Sequence, residues 1–262
     1  MGEMKSAARR IVLSAGATVF ILWLLMYAPS PYVVFGPGIA VPVESMVELA
    51  NGADGASQQQ TAGSFMLTAV RLTDPNIWGV ITAGVNPDKD IRWKWDVFGG
   101  QSKSKYVEQI NEIMGSSQQT ALQAAYEYAD IPYNIEEGEP VPARPEDRVS
   151  IRAEDIGGPS AGLVFALRTI DLLTEGDLTK GLRIAATGTM DKDGSIGAIG
   201  GVKQKTVAVS LEGADLFLVP KGNEKQARKT AKRLSSQTVI VGVATLDEAV
   251  QAIAAAAIER RS

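Results

Sequence analysis

The chain contains neither cysteine nor histidine. The first absence rules out disulfides, a thiolate nucleophile and cysteine-held metal clusters within these residues. The second removes the Ser-His-Asp triad, the Cys-His pair and every histidine-based zinc site. Any hydrolytic nucleophile here is therefore activated by another base. An excess of positive charge is also missing. The 26 Lys and Arg face 30 Asp and Glu, for a net charge of −4, so no basic footprint for nucleic acid exists. No G-x-x-x-x-G-K-[ST] phosphate loop occurs, so these residues carry no ATPase of their own. Nothing in the pattern calls for a cofactor or a metal.

What is present begins with an apolar run. Residues 11–28, IVLSAGATVFILWLLMYA, are uncharged; Lys5, Arg9 and Arg10 precede them, and no charge returns before Glu44. A run of this length spans a bilayer, and Trp23 and Tyr27 suit the interface. The basic flank belongs on the cytoplasmic side. Residues 1–10 thus read as a cytoplasmic tail, 11–28 as a transmembrane helix, and the rest as an extracytoplasmic part. The competing reading is a cleaved signal peptide. Its processing site would fall near YAPSP, which lacks a clean small-x-small pattern.

Beyond the span, residues 29–133 read as a small α+β subdomain. SFMLTAVRL (64–72) alternates apolar and polar residues, as a half-buried strand does. Trp78, Trp93 and Trp95 read as aromatic packing inside that subdomain, with a membrane-near surface as the other option. Residues 105–128 read as two helices parted at Gly115, the second capped by Ser116. The acidic, proline-rich NIEEGEPVPARPEDR (134–148) reads as a linker. After it, over 149–258, strands alternate with helices, the pattern of an α/β domain. Strands are expected at 149–153, 181–188, 215–220 and 238–243, and helices at 160–173, 202–212 and 223–234. Asn223 is the expected cap of the basic helix, whose charged face is solvated. Thr245 opens the last helix, with Glu248 at the capping-box position.

The stretch that carries chemistry is DIGGPSAGL, 155–163. Gly158 frees the backbone and Pro159 fixes φ, so Ser160 sits on a tight turn at the mouth of a helix. It is either a nucleophile or a helix cap. Without histidine, a serine needs another base, and a lysine stripped of solvent can supply it. IGGVKQKTVAV (199–209) offers Lys203 and Lys205 at a helix start, where the dipole also disfavours a cation. The two lie about 200° apart around a helix, so at most one faces Ser160. The apolar neighbours Val202, Ala208 and Val209 lean toward Lys205.

Together, GPSAG (158–162) and ATGTMDKDGSIGAIGGVKQK (186–205) resemble the proteolytic domain of Lon-type serine proteases, and most nearly its membrane-anchored, ATP-independent bacterial group. The resemblance covers about 149–250, with weaker similarity upstream through SSQQTALQAAYEYA. It implies a mixed sheet with helices and a Ser-Lys dyad of Ser160 and Lys205. Thr187, the threonine of the T-G pair, would place the lysine. Gly158, Pro159 and Ala161 would form the turn and oxyanion site around the serine. Protein or peptide substrates and homo-oligomers are implied as well. Lon proteases commonly carry Asp close to Gly-Pro-Ser, whereas Gly157 and Gly158 fill that stretch here. The anchored group usually holds a PDZ domain before the catalytic domain, and the stretch from Tyr126 to Asp155 is too short for one. The expected function is a membrane-anchored serine endopeptidase. The alternative is a membrane-tethered binding or assembly protein that keeps the fold without the activity.

Overall fold

The structure is a computed structural model that describes residues 2–50, 63–153 and 158–261, with side chains from residue 9 to residue 260. Asp155, Gly157 and the side chain of Lys5 lie outside the described residues.

Along the chain, helix α1 (Gly2–Tyr27) leads into strand β1 (Tyr32–Pro42), then β2 (Val47–Leu49) and β3 (Ser64–Thr73). Next come α2 (Ile77–Gly84), β4 (Asp90–Trp93), α3 (Lys94–Phe98) and the long α4 (Lys103–Tyr128). Strands β5 (Tyr133–Glu136), β6 (Glu139–Pro142) and β7 (Val149–Ile151) precede a 3₁₀ turn, Pro159–Ala161, and α5 (Gly162–Leu173). The last third comprises β8 (Arg183–Ala186), the short β9 (Thr189–Met190) and β10 (Ile196–Gly197), α6 (Val202–Glu212), β11 (Leu216–Pro220), α7 (Glu224–Arg233), β12 (Val239–Val243) and α8 (Leu246–Arg261). Six strands form one mixed sheet in the order β12-β11-β8-β3-β1-β4.

The chain divides into two compact units. One comprises residues 1–36 and 71–101, the other 37–70 and 102–262. The first holds α1, whose stretch Arg9–Tyr27 is long and apolar enough to cross a membrane and is wholly unburied. The opening residues of β1 pair antiparallel with β4. Trp78, Trp93 and Trp95 are all exposed in this unit; of the expected aromatic packing, Trp93 has its ring edge-on against Tyr32. They stand on the short elements α2, β4 and α3, which leave one side uncovered.

The second unit has the α/β architecture its alternation predicts. Strands β3, β8, β11 and β12 are all parallel. Successive side chains on a strand point to opposite faces, and here both faces are covered. Phe65, Leu67, Ile184, Ala186, Leu216 and Leu218 join the core under α4, α5 and α8. Met66, Ala185, Phe217 and Val219 join a second core under α6 and α7. Such doubly covered parallel strands read as continuous apolar runs, as DLFLVP does.

Three local expectations are corrected. Residues 103–128 form one helix with no break at Gly115. A helical glycine costs about 1 kcal/mol, and burial of Met114, Ala121, Ala124 and Ala125 outweighs it. Ser116 is accordingly mid-helix. Residues 134–148 are not an aperiodic linker: β5 and β6 pair antiparallel, closed by Glu137 and Gly138 at positive φ. That is the backbone a two-residue hairpin turn needs. Asn223 does not cap α7; its amide bonds both the N–H and the C=O of Ile199 instead. At the last helix, Thr245 does cap, accepting from Glu248 N, while the Glu248 carboxylate accepts from Ala244 N, one residue before the expected partner.

Candidate active site

The 3₁₀ turn at Pro159–Ala161 is set by its entry. Gly158 has φ 117° and ψ 148°, a backbone conformation that side chains resist, and Pro159 presets the first turn position. The turn is then held from three sides. Ser117 on α4 donates its hydroxyl to Pro159 O at 2.9 Å. The Ser160 carbonyl accepts from Gly188 N at 2.8 Å and from the Thr187 hydroxyl at 3.0 Å. Ser160 Oγ caps no helix; it faces Lys205. That geometry removes the cap reading of the serine.

Thr187 continues β8. By alternation it shares the face of Ala185, the face covered by α6, and its N–H is fixed by Leu218 O at 3.0 Å. Helix α6 begins after Gly201, whose φ of 70° and whose contact with Val70 leave no room for a side chain. Val202, Ala208 and Val209 anchor α6 to the sheet. That register sends Lys205 inward, where it is only 2% exposed.

Lys205 Nζ lies 2.6 Å from Ser160 Oγ and 2.8 Å from Thr187 Oγ1. Burial lowers the Lys205 pKa from 10.5 to about 7, because the charged amine has lost its water. The hydrogen bonds set the direction of the protons. Thr187 spends its hydroxyl proton on the Ser160 carbonyl, so it accepts from the lysine. When neutral, the amine also carries a lone pair that a hydroxyl at this distance can donate to. The three groups form a closed ring: Lys205 Nζ donates to the Ser160 and Thr187 hydroxyls, and Thr187 donates back to the Ser160 carbonyl. The bond to the serine comes from Lys205 and not from Lys203. Among the described residues, no cluster of acidic side chains could hold a metal.

Residues 97–256 match the C-terminal proteolytic domain of Lon protease, S16. The chain belongs to the Lon proteolytic-domain family. It is 28% identical over 164 residues to the Lon protease of Chloroflexus aggregans, covering 58% of this chain and 18% of that protein. With the Lon protease of Elusimicrobium minutum it shares 36% identity over 94 residues, 36% of this chain and 11% of the other. Lon protease 2 of Herpetosiphon aurantiacus is 26% identical over 194 residues, 68% and 22% of the two chains. The chain thus spans under a quarter of the length of these curated relatives. The matched family model is that of a proteolytic domain.

In this Lon-type domain the groups singled out in the sequence, Ser160, Thr187 and Lys205, come together. Gly158, Pro159 and Ala161 form the turn beneath the serine, although Pro159 has no N–H and can only shape it. Two side chains near the site carried no sequence signal. Ser117 reads as one polar residue of a helix, yet it braces the serine turn. Gln204 is fully buried, and neither of its amide atoms has a partner among the described residues. A groove of about 670 Å³ lies at the opposite ends of the strands, beside Asp215, Val239 and Arg260, away from the serine.

Proposed function

We propose that this Lon-type domain is a serine endopeptidase working through a Ser160–Lys205 dyad, anchored by α1 in a membrane, active outside the cytoplasm and independent of ATP. The observation that carries the reading is the 2.6 Å approach of a desolvated amine to the serine hydroxyl. Ser160 Oγ attacks the scissile carbonyl while Lys205 Nζ takes its proton. The negative oxygen of the tetrahedral intermediate is met by backbone N–H groups of the Gly158–Ala161 turn, at a helix N-terminus. Lys205 then returns the proton to the leaving amine as the C–N bond breaks, leaving an ester on Ser160. Water, deprotonated by the same amine, hydrolyses the ester and restores the hydroxyl. Thr187 keeps the amine oriented throughout. Substrates are extended segments of proteins or peptides, and the domain assembles as a homo-oligomer.

Anchoring is supported by the unburied apolar stretch of α1 and the basic residues before it. ATP independence is supported by the missing phosphate loop. The test is an incubation of the full chain with an unfolded casein-like protein and no nucleotide. Fragments should accumulate with wild type and not with Ser160→Ala. Cleavage that continues in Ser160→Ala refutes the dyad; an absolute need for ATP refutes the energetic part alone.

A further inference from the structure

All four tryptophans of the chain, Trp23, Trp78, Trp93 and Trp95, lie in the unit formed by residues 1–36 and 71–101. None is buried: they are 55%, 48%, 45% and 66% exposed. Helix α2, IWGVITAG, contains no charged residue. Its one hydroxyl, on Thr82, is turned back to Gly79 O. Trp78, Ile81 and Val85 follow one another at helical spacing and are all exposed. A helix that is apolar all round is normally buried, and this one has an open face.

The place of that face is fixed by hydrogen bonds to the chain leaving α1. The Asn76 side chain donates to the Met26 carbonyl and accepts from Gly79 N, so one residue joins the end of α1 to the start of α2. Ser30 Oγ donates to Pro75 O at 2.7 Å. Trp93 is paired across the sheet with Tyr32 and packs its ring edge-on against it at 4.8 Å. Lys94 N donates to Pro31 O at 2.9 Å. Both tryptophan-bearing segments are therefore tied within residues 26–32, where the apolar helix ends.

We propose that Trp78, Ile81, Val85, Trp93 and Trp95 form a platform that lies in the headgroup layer of the bilayer crossed by α1. This rests on the reading of α1 as a membrane anchor and adds a lipid-binding surface to it. Indole rings favour this layer, since each buries an apolar body and keeps its N–H at the wet boundary. Residues 71–101 carry four basic and four acidic side chains, so attraction to anionic lipid contributes little. The partner is the zwitterionic phospholipid interface, bound through apolar area. A platform of this kind limits the tilt and rotation of the anchor and holds the unit flat on the membrane.

The test uses the full chain in phosphatidylcholine nanodiscs, in four versions that each keep one tryptophan and carry Phe at the other three. Lipids brominated near the carbonyls and lipids brominated near the chain ends report depth by quenching. Trp78, Trp93 and Trp95 should each emit at shorter wavelength than free indole. They should lose more emission to the shallow bromines than to the deep ones, and equally at low and high salt. If the three are unquenched while Trp23 is quenched, the platform is wrong and the anchor stands. A blue shift that ignores bromine but follows the protein-to-lipid ratio means a second copy covers the face, which also overturns the proposal. If Trp23 is unquenched as well, the anchor reading fails and takes the platform with it.

Discussion

At the scale of single residues, the proposed role of Lys205 makes predictions for both activity and stability. Its amine is neutral only above a pKa of about 7, so peptide cleavage should rise with pH through that value and then level off. Lys205→Met and Lys205→Arg should both lose about 10²–10⁴-fold in kcat, because neither side chain accepts a proton at working pH. Stability follows from the same depression. Between about 7 and the ordinary 10.5 the unfolded chain binds the proton and the folded chain does not. Wild-type stability therefore increases with pH across that window. Lys205→Met has no such term: it should melt above wild type at pH 6, and the gap should narrow toward pH 10. A constant gap in thermal melts at both pH values would contradict the buried amine. Thr187→Val removes the acceptor that favours the charged amine. It should cost about 1–3 kcal/mol in the barrier and shift the pH midpoint of activity downward, which a purely structural lesion would not do.

At the scale of elements, two glycines make opposite predictions. Gly115 lies inside α4, where an added Cβ meets nothing within 4 Å. Gly115→Ala should stabilise by about 1 kcal/mol in a denaturant titration; destabilisation would mean the helix is broken there after all. Gly201 precedes α6 at positive φ, and a Cβ there would fall 2.7 Å from Val70 Cγ1. Gly201→Ala should destabilise the fold and lower cleavage, since α6 must shift and Lys205 shifts with it. The contrast also marks what local sequence reveals. A glycine in a periodic helical stretch looks the same whether the helix bends or continues, and only the buried contacts of Met114 and Ala121 decide it. Gly201, between a glycine-rich turn and an apolar helix, was legible as a boundary. The β5–β6 hairpin was hidden because its strands carry prolines and glutamates, which do not alternate in hydropathy. Its pairing comes from positive φ at two adjacent residues instead.

At the scale of the whole molecule, the prediction concerns sidedness. If α1 is an uncleaved anchor with its basic end inside, a protease added to intact spheroplasts should remove the Lon-type domain and leave an N-terminal tag protected. Protection of the domain would reverse the orientation; loss of α1 from the mature chain would favour the signal-peptide reading. The sequence by itself excluded some chemistry, because a chain without His or Cys holds no Ser-His-Asp triad, Cys-His pair or histidine-held zinc. It also determined the α/β alternation, since parallel strands covered on both faces must be continuous apolar runs. The tertiary structure alone decided which side chain faces the Ser160 hydroxyl and what holds the Ser160 carbonyl. Both depend on residues far apart in sequence, 160, 187 and 205, meeting in one desolvated layer between β8 and α6. It also decided the state of the tryptophans: exposure depends on which neighbouring element covers a side chain, and the composition of a segment does not specify its cover.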